Sequence, residues 1–352
     1  MRAASEWIPV RVTDLRGVDL DTWRFDFDLT FAVLLAHPDG TVYHRFGGRD
    51  ARAADVALSE PALARLLREG LAAHRAHREP PPERRARTLD DLPVWRDKLA
   101  ERARQGQKPL DCYHCHFVFD AERRQALRDG TWRAEQIWRW PPPGQVGLEL
   151  DPGAQDRVAA VRAGSPAARA GLAPGDLLIR VGDQRILSWS DLSWVLERAR
   201  GGASSLTLVY ERAGARRLGM LDLPAGWEVG DALTLSWRPS KWQLTPGPGF
   251  GGRALDAPRK QALGLAPERF AFEVGYLVTW GGSDERRYGE AAVQAGIKQG
   301  DVVLGVNGRT DFASVDHFQA WWRLELAAGQ VARVELLRDG AARTVEITIP
   351  GE

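Results

Sequence analysis

The chain has 352 residues, 44% hydrophobic and 27% charged, an ordinary globular composition with room for two or three domains. Its 48 basic and 47 acidic side chains leave a formal charge of +1, so no global field draws it to nucleic acid or to an anionic membrane. No apolar run approaches the roughly 18 residues of a membrane span, and Met1–Trp7 lacks the apolar stretch of a signal peptide, so the chain as it stands reads as soluble and cytoplasmic. Two cysteines cannot build a disulfide framework and point instead to redox, metal or haem chemistry. The arginine clusters Arg84–Arg87 and Arg123-Arg124 have acids beside them (Glu83, Asp90; Asp120, Glu122) and read as solvated helix faces.

Trp7–Thr13 alternates apolar and polar residues and predicts a strand. Phe31–Leu35 and Thr41–Phe46 flank His37-Pro38-Asp39-Gly40, a β-hairpin pattern in which Pro presets φ and Gly accepts positive φ. His37 and His44 flank that turn and read as surface residues. Pro61–Ala76 carries Leu63, Leu66, Leu67 and Leu71 at helical spacing. The order strand, hairpin, helix over residues 1–80 resembles the back half of a thioredoxin-like fold. The front strand and helix that carry the redox cysteines there have no counterpart, and Leu29-Thr30 stands where that fold places a cis-proline. An incomplete sheet leaves an unpaired edge. The expectation is that the native start lies upstream of Met1, with room for an export signal and a periplasmic location. With the features below, the whole chain resembles the bacterial thioredoxin-like/PDZ domain-containing (seleno)protein family.

Residues 81–143 form a helical segment after the stiff Pro80-Pro81-Pro82 spacer. Leu92–Arg104 predicts one helix with Pro93 in its first turn, and Asp111 is a candidate N-cap for a second from Cys112 to about Leu127, stopped by Gly130. Cys112-x-x-Cys115-His116 uses the only cysteines of the chain and matches the attachment pattern for c-type haem, with both thiols as thioethers and His116 as the iron ligand. Three alternatives stay open. A redox dithiol at a helix N-terminus gains a stabilised thiolate. A zinc site could form from His74, His77, Cys112 and Cys115. The residues could also be two inert thiols in a small helical linker.

From residue 144 onward the chain repeats. Ala170-Gly-Leu-Ala-Pro-Gly-Asp-Leu-Leu-Ile-Arg-Val matches Ala295-Gly-Ile-Lys-Gln-Gly-Asp-Val-Val-Leu-Gly-Val, and Gly171 to Gly296 is an offset of 296 − 171 = 125 residues, a duplicated domain. Each copy predicts a short helix ended by glycine, a strand after Gly-Asp, an amphipathic helix (Ser190–Ala199; Ser314–Leu326) and a closing strand pair. Both copies resemble the bacterial PDZ domain, which implies peptide binding by strand addition beside a helix, with loop amides on the terminal carboxylate. Carried over, the loop is Gln145-Val146-Gly147-Leu148 in the first copy. In the second it is Leu263-Gly264-Leu265, with Gly249-Phe250-Gly251-Gly252 as a rival. The groove helices would offer Leu192, Val195 and Leu196, and Phe318, Trp321 and Trp322; core packing is the alternative for these, and His317 reads as a packing histidine.

The expected organisation is thus α+β and multidomain. An incomplete thioredoxin-like α/β unit (1–80) precedes the helical Cys/His segment (81–143), a first PDZ-like β-barrel or sandwich (144–224), a Trp/Pro-rich linker (225–246) and a second PDZ-like domain (247–352). Neither Gly-x-Ser-x-Gly nor His-Glu-x-x-His occurs, so a protease is excluded from the expectation. Two functions remain: a PDZ-docked redox or haem protein using Cys112, Cys115 and His116, or a non-enzymatic adaptor that binds peptide C-termini or exposed strands.

Overall fold

The structure, a computed structural model, describes residues 5–78, 85–280 and 283–351. The Pro80–Pro82 spacer, Glu83-Arg84 and the first four residues lie outside the described residues. The chain divides into two compact units, Met1–Val229 and Gly230–Glu352. No helix of the described residues is long and apolar enough to cross a membrane.

The first unit begins with a hairpin, β1 (Ala32–Ala36) and β2 (Val42–Gly47), followed by helix α1 (Glu60–Ala76). Ser59 caps α1 by accepting the Ala62 N–H, and Pro61 sits in the first turn. Trp7–Thr13 is not a strand. Ile8 is 89% and Val10 80% exposed, and the stretch pairs with neither edge of the two-stranded β1–β2 sheet. Trp7 alone is anchored, donating Nε1–H to Leu67 O at 3.0 Å. The thioredoxin-like resemblance therefore reduces to one hairpin and one helix. The hairpin's apolar face is covered all the same: Leu35 and Phe46 pack with Ala62 and Leu66 of α1 and with Leu187 from further along the chain.

Helices α2 (Pro93–Arg104) and α3 (His116–Arg128) follow. The sequence places the start of α3 at Cys112, and the structure starts it four residues later with Cys115 as N-cap. The reason is Tyr113. Its ring is buried, its N–H donates to Asp14 Oδ1 (2.9 Å) and its carbonyl accepts from Leu15 N (3.0 Å), so Asp111–His114 is pinned to the N-terminal segment instead of winding. Leu15, Leu20, Phe27, Leu89, Trp95, Tyr113, Val118 and Phe119 make one core here. At its rim Glu122 of α3 holds Arg24 (3.5 Å), Arg87 (3.2 Å) and Arg139 (2.5 Å).

The rest of the unit is a sheet of order β3-β4-β5-β7-β8 built from β3 (Leu148–Asp151), β4 (Ala154–Val161), β5 (Leu177–Val181), β7 (Ser204–Arg212) and β8 (Ala215–Leu223), with β6 (Gln184–Arg185) paired to β5. A short helix α4 (Pro166–Arg169) and helix α5 (Trp189–Arg198) complete it. Pairing is antiparallel throughout, and the β7–β8 hairpin runs in register from Ser204↔Leu223 to Arg212↔Ala215.

The second unit holds α6 (Ala232–Ser236), β9 (Phe250–Ala254), α7 (Ala257–Ala262), β10 (Phe272–Leu277), α8 (Ser283–Ala295), β11 (Val302–Val306), α9 (Val315–Glu325), β12 (Val331–Arg338) and β13 (Ala341–Thr348). Its sheet order, β13-β12-β11-β10-β9, repeats that of the first sheet, with β9 at the edge that β3 holds there. The core is aromatic, with Phe250, Phe272, Phe318 and Trp322 inside. The stretch expected to be a linker, residues 225–246, is divided: Trp227 closes the core of the first sheet, while α6 packs on α9 in the second unit.

Candidate peptide-binding site

In the first sheet domain β3 is an edge strand, paired among the described residues only with β4, so its outer edge offers backbone groups to an added strand. Gly147 opens it. Its φ of +86° suits glycine, and a Cβ there would run into the Ser165 side chain. Val146 and Leu148, either side of it, are buried in the core, as are Leu192, Val195 and Leu196 of α5. The three helix residues expected to line a groove pack on the sheet instead, as a helix's apolar stripe must.

The other faces of α5 are occupied too. Asp191, fully buried, accepts from His44 Nδ1 (2.8 Å), Arg45 N (2.9 Å) and Leu187 N (3.1 Å). Ser188, the N-cap, donates to Arg45 O, and Ser190 donates to Gly47 O at 3.0 Å. His44, expected at the surface, is therefore buried in the joint between β2 and α5. Arg65 of α1 makes a bidentate ion pair with Asp156 of β4. Trp140 stacks on Trp194 (5.6 Å), Arg45 lies 4.0 Å over the same ring, and Trp140 N donates to Glu197 Oε2 at 2.7 Å. Burial brings the Arg45 pKa down to about 10. The front of the chain thus clamps the first domain's helix.

In the second domain the edge strand β9 is preceded by Gly249, with φ +78° and the Tyr288 carbonyl where a Cβ would lie. This makes Gly249-Phe250 the counterpart of Gly147-Leu148. Leu263-Gly264-Leu265 is not the loop: it follows α7, inside the long β9–β10 connection, where Gly264 is exposed. That connection replaces the two-residue turn between β3 and β4, so an offset measured on the Gly-Asp motif overshoots the loop. On α9, Phe318 and Trp322 are core residues, and Trp321 packs on Phe312 and under Arg309. The residues that face the start of β9 are Gln319, which donates to Phe250 O at 2.8 Å, and Arg323.

Arg323 occupies the position on α9 that Glu197 occupies on α5: each lies nine residues after its capping serine, 323 − 314 and 197 − 188. Glu197 is satisfied by Trp140 N and by Arg200 at 2.6 Å. Arg323 gives Nη1 to Gln319 O (3.0 Å) and Oε1 (2.7 Å) and lies 4.6 Å over the Trp242 ring. Its Nε is buried without a hydrogen bond, and among the described residues no carboxylate pairs with it. A Cβ at Gly247 would sit 2.9 Å from Nη2, so the guanidinium lies against the Gly247–Gly249 loop. Burial lowers its pKa to about 10, with Tyr276 and Tyr288 opposing, so it stays charged at neutral pH. A cleft of about 520 Å³ lined by Gly252, Glu273 and Tyr276 runs along β9 and β10.

Two further arginines went unread in the sequence. Arg212, at the end of β7, holds Asp176 (2.7 and 2.8 Å) and Gly171 O (2.7 Å); Arg338, at the end of β12, holds Asp301 (2.7 and 2.7 Å) and Gly296 O (2.6 Å). The two aspartates are those of the repeated Gly-Asp, so each clasp ties that motif to the closing hairpin. The signal was there: Arg212 to Arg338 is an offset of 126, close to the offset of the motif itself.

The Cys/His residues form no common ligand cluster among the described residues. Cys112 Sγ lies 3.4 Å from His114 Nε2, Cys115 Sγ faces Leu29 O at 3.7 Å, and both thiols are free. Burial pushes the Cys115 thiol up, outweighing the amide hydrogen bonds at the helix start, and Asp28 and Asp26 add to the rise. This is the reverse of a stabilised thiolate. His116 stacks on His114 at 5.5 Å, and burial, then His114, lowers its pKa. Neither cysteine joins a group of three metal ligands among the described residues. His74 and His77 lie with His37 and Asp39 instead. His317 is a packing residue, accepting from Ala313 N through Nδ1.

Residues 157–212 match the family model for the PDZ domain. A 44-residue stretch is 52% identical to a protein named as a probable periplasmic serine endoprotease DegP-like, from Chlamydia trachomatis serovar D, covering 12% of this chain and 9% of that one. The chain therefore spans about a tenth of the length of that relative. Among solved structures, the HtrA-type protease AlgW with decapeptide is 18% identical over 41% of each chain, with a TM-score of 0.23. Residues 157–212 thus belong to a PDZ domain, a class of module that binds peptides.

Proposed function

We propose that the chain is a peptide-binding protein whose second, PDZ-like domain captures the C-terminus of an extended peptide. The observation that carries this reading is Arg323: a half-buried arginine whose Nε is buried without a hydrogen bond and which has no acidic partner among the described residues, set against the Gly247–Gly249 loop at the start of an edge strand paired, among the described residues, only with β10. A peptide carboxylate supplies the missing charge partner, and the outer edge of β9 accepts the peptide backbone as an added strand. In the first domain the corresponding charge is Glu197, already satisfied, and α5 is clamped by β2. The first domain serves in this reading as the scaffold and the second as the receptor.

The test is fluorescence polarisation of the full chain with labelled decapeptides ending in apolar residues, as free acids and as amides. The expected result is binding of free acids, at least about tenfold weaker binding of amides, and loss of that discrimination in Arg323→Gln. Equal affinity for acid and amide would remove Arg323 as the anchor. No binding of either would remove the peptide reading.

A further inference from the structure

The hairpin turn and the end of α1 bring imidazole and carboxylate side chains together. Asp39 Oδ2 lies 2.9 Å from His37 Nδ1 and 2.8 Å from His77 Nε2, and these three ligand atoms all fall within 4.8 Å of one another. His77 is 9% and Asp39 12% exposed at the side chain, with His37 on the open side at 31%. His74, one turn earlier on α1, has its ring 5.1 Å from that of His37, and its Nδ1 is buried without a hydrogen-bond partner. Tyr43 walls the cluster, 5.6 Å from the His77 ring and 6.1 Å from the His74 ring, and its hydroxyl is buried and unpartnered too. Two orphaned polar atoms beside three convergent ligands are what a hydrogen-bonded cluster alone does not explain.

We propose that His37, Asp39 and His77 bind a divalent metal ion of the zinc class, with His74, which is not one of that convergent group, turning in as the fourth ligand. Two or three imidazoles and one carboxylate form a borderline donor set that suits Zn²⁺, and distinguishes it from the all-oxygen sets of Mg²⁺ and Ca²⁺. The local scaffold is made for it. The turn sets His37 and Asp39 two residues apart. Asp39 Oδ1 is oriented by the Thr41 N–H at 2.8 Å, the supporting bond a metal-binding carboxylate needs. His77 is the C-cap of α1 and bonds through its own N–H to His74 O, which fixes the pair one turn apart. Zinc–ligand distances of about 2.0–2.1 Å require ligand atoms about 3.3 Å apart, so the two contacts to Asp39 Oδ2 open by about half an ångström as the ion replaces the His77–Asp39 hydrogen bond and the Asp39 N–H bond to His37 Nδ1 (3.3 Å). The site staples the hairpin turn to the end of α1, a segment whose buried core among the described residues is the small cluster of Leu35, Phe46, Ala62 and Leu66, closed by Leu187 and edged by Trp7, Val33, Leu63 and Leu67.

The experiment is Co²⁺ titration of the chelator-treated full chain carrying Cys112→Ser and Cys115→Ser, which removes thiolate ligands. One equivalent with the intense visible bands of tetrahedral Co²⁺, displaced by Zn²⁺, is expected. Asp39→Asn and His37→Gln should each weaken binding at least about a hundredfold, and His74→Ala should shift the spectrum towards higher coordination. His37 is the most exposed of the set, so its variant keeps the fold if Asp39→Asn does not, as checked by circular dichroism. Weak octahedral bands only, or tetrahedral bands that survive both Asp39→Asn and His37→Gln, would overturn the site. An unchanged spectrum in His74→Ala would overturn its role as fourth ligand.

Discussion

Gly147 is held to glycine by two separate constraints. Its φ of +86° costs an L-residue about 1–3 kcal/mol, and the Ser165 side chain fills the space of a Cβ. Gly147→Ala should therefore destabilise the first unit by about 2 kcal/mol or more, read as a lower urea midpoint at unchanged slope. Gly164→Ala is the control: its φ is +70° but nothing stands near its Cβ, so it should lose only the conformational part. Equal losses would show that the contact with Ser165 does not matter. Cys115 makes a second residue-scale case. Burial and the nearby Asp28 and Asp26 raise its pKa, so at any fixed pH the thiolate fraction is smaller than in a free cysteine. In Cys112→Ser, reaction of Cys115 with a disulfide reagent should climb about tenfold per pH unit past pH 8 without levelling. A plateau near neutral pH would mean an activated thiol and would favour the redox dithiol.

Between elements, two buried carboxylates join segments far apart in sequence. Asp191 at the start of α5 takes three hydrogen bonds, two of them from β2. Asp191→Ala should cost about 3 kcal/mol and raise hydrogen exchange in β1 and β2, because it orphans buried donors. Glu122 of α3 gathers Arg24, Arg87 and Arg139. Burial raises its pKa, but the three arginines, Arg139 foremost, bring it below the ordinary 4.5. A depressed folded-state pKa gives stability above the unfolded value that is lost as pH falls through the folded one. The gap in unfolding free energy between the parent and Glu122→Gln should thus be full at pH 7 and shrink below about pH 4.5. These joints explain what was legible in the sequence. The 31–46 hairpin, α1, α2 and the strands after each Gly-Asp are set by local periodicity and turn residues, and they stand where the sequence places them. The start of α3 and the burial of His44 depend on partners about 100 residues or more away, which no local pattern records. Leu192 and Val195 were ambiguous for a related reason: an apolar stripe looks the same whether it meets a sheet or a ligand.

At the scale of the whole chain, duplication has kept the frame and changed the charge. Both copies hold the arginine–aspartate clasp, the serine cap of the groove helix and the glycine before the edge strand. At the ninth residue past the cap, one carries a satisfied glutamate and the other an arginine without an acid among the described residues. What precedes each edge strand also differs. In the second unit the Trp/Pro-rich stretch is part of the domain: Leu235 and Ala232 of α6 are buried, Lys241 pairs with Asp316 at 2.9 Å, and Trp242 covers Arg323. Residues 230–352 should therefore fold alone with a cooperative transition, since the unit has its own core. A fragment starting at residue 247, the boundary suggested by composition, loses Leu235, the ion pair and the ring that shields the guanidinium. Burying one leucine and one half-buried tryptophan contributes about 3 kcal/mol, and a domain of this size responds with a melting temperature lower by about 10 °C or more. The shorter fragment should also bind free-acid peptides more weakly, because Arg323 would be solvated before the ligand arrives and its charge screened. Equal melting temperatures and equal affinities would show that residues 230–246 are a linker after all and that Trp242 has no part in the receptor.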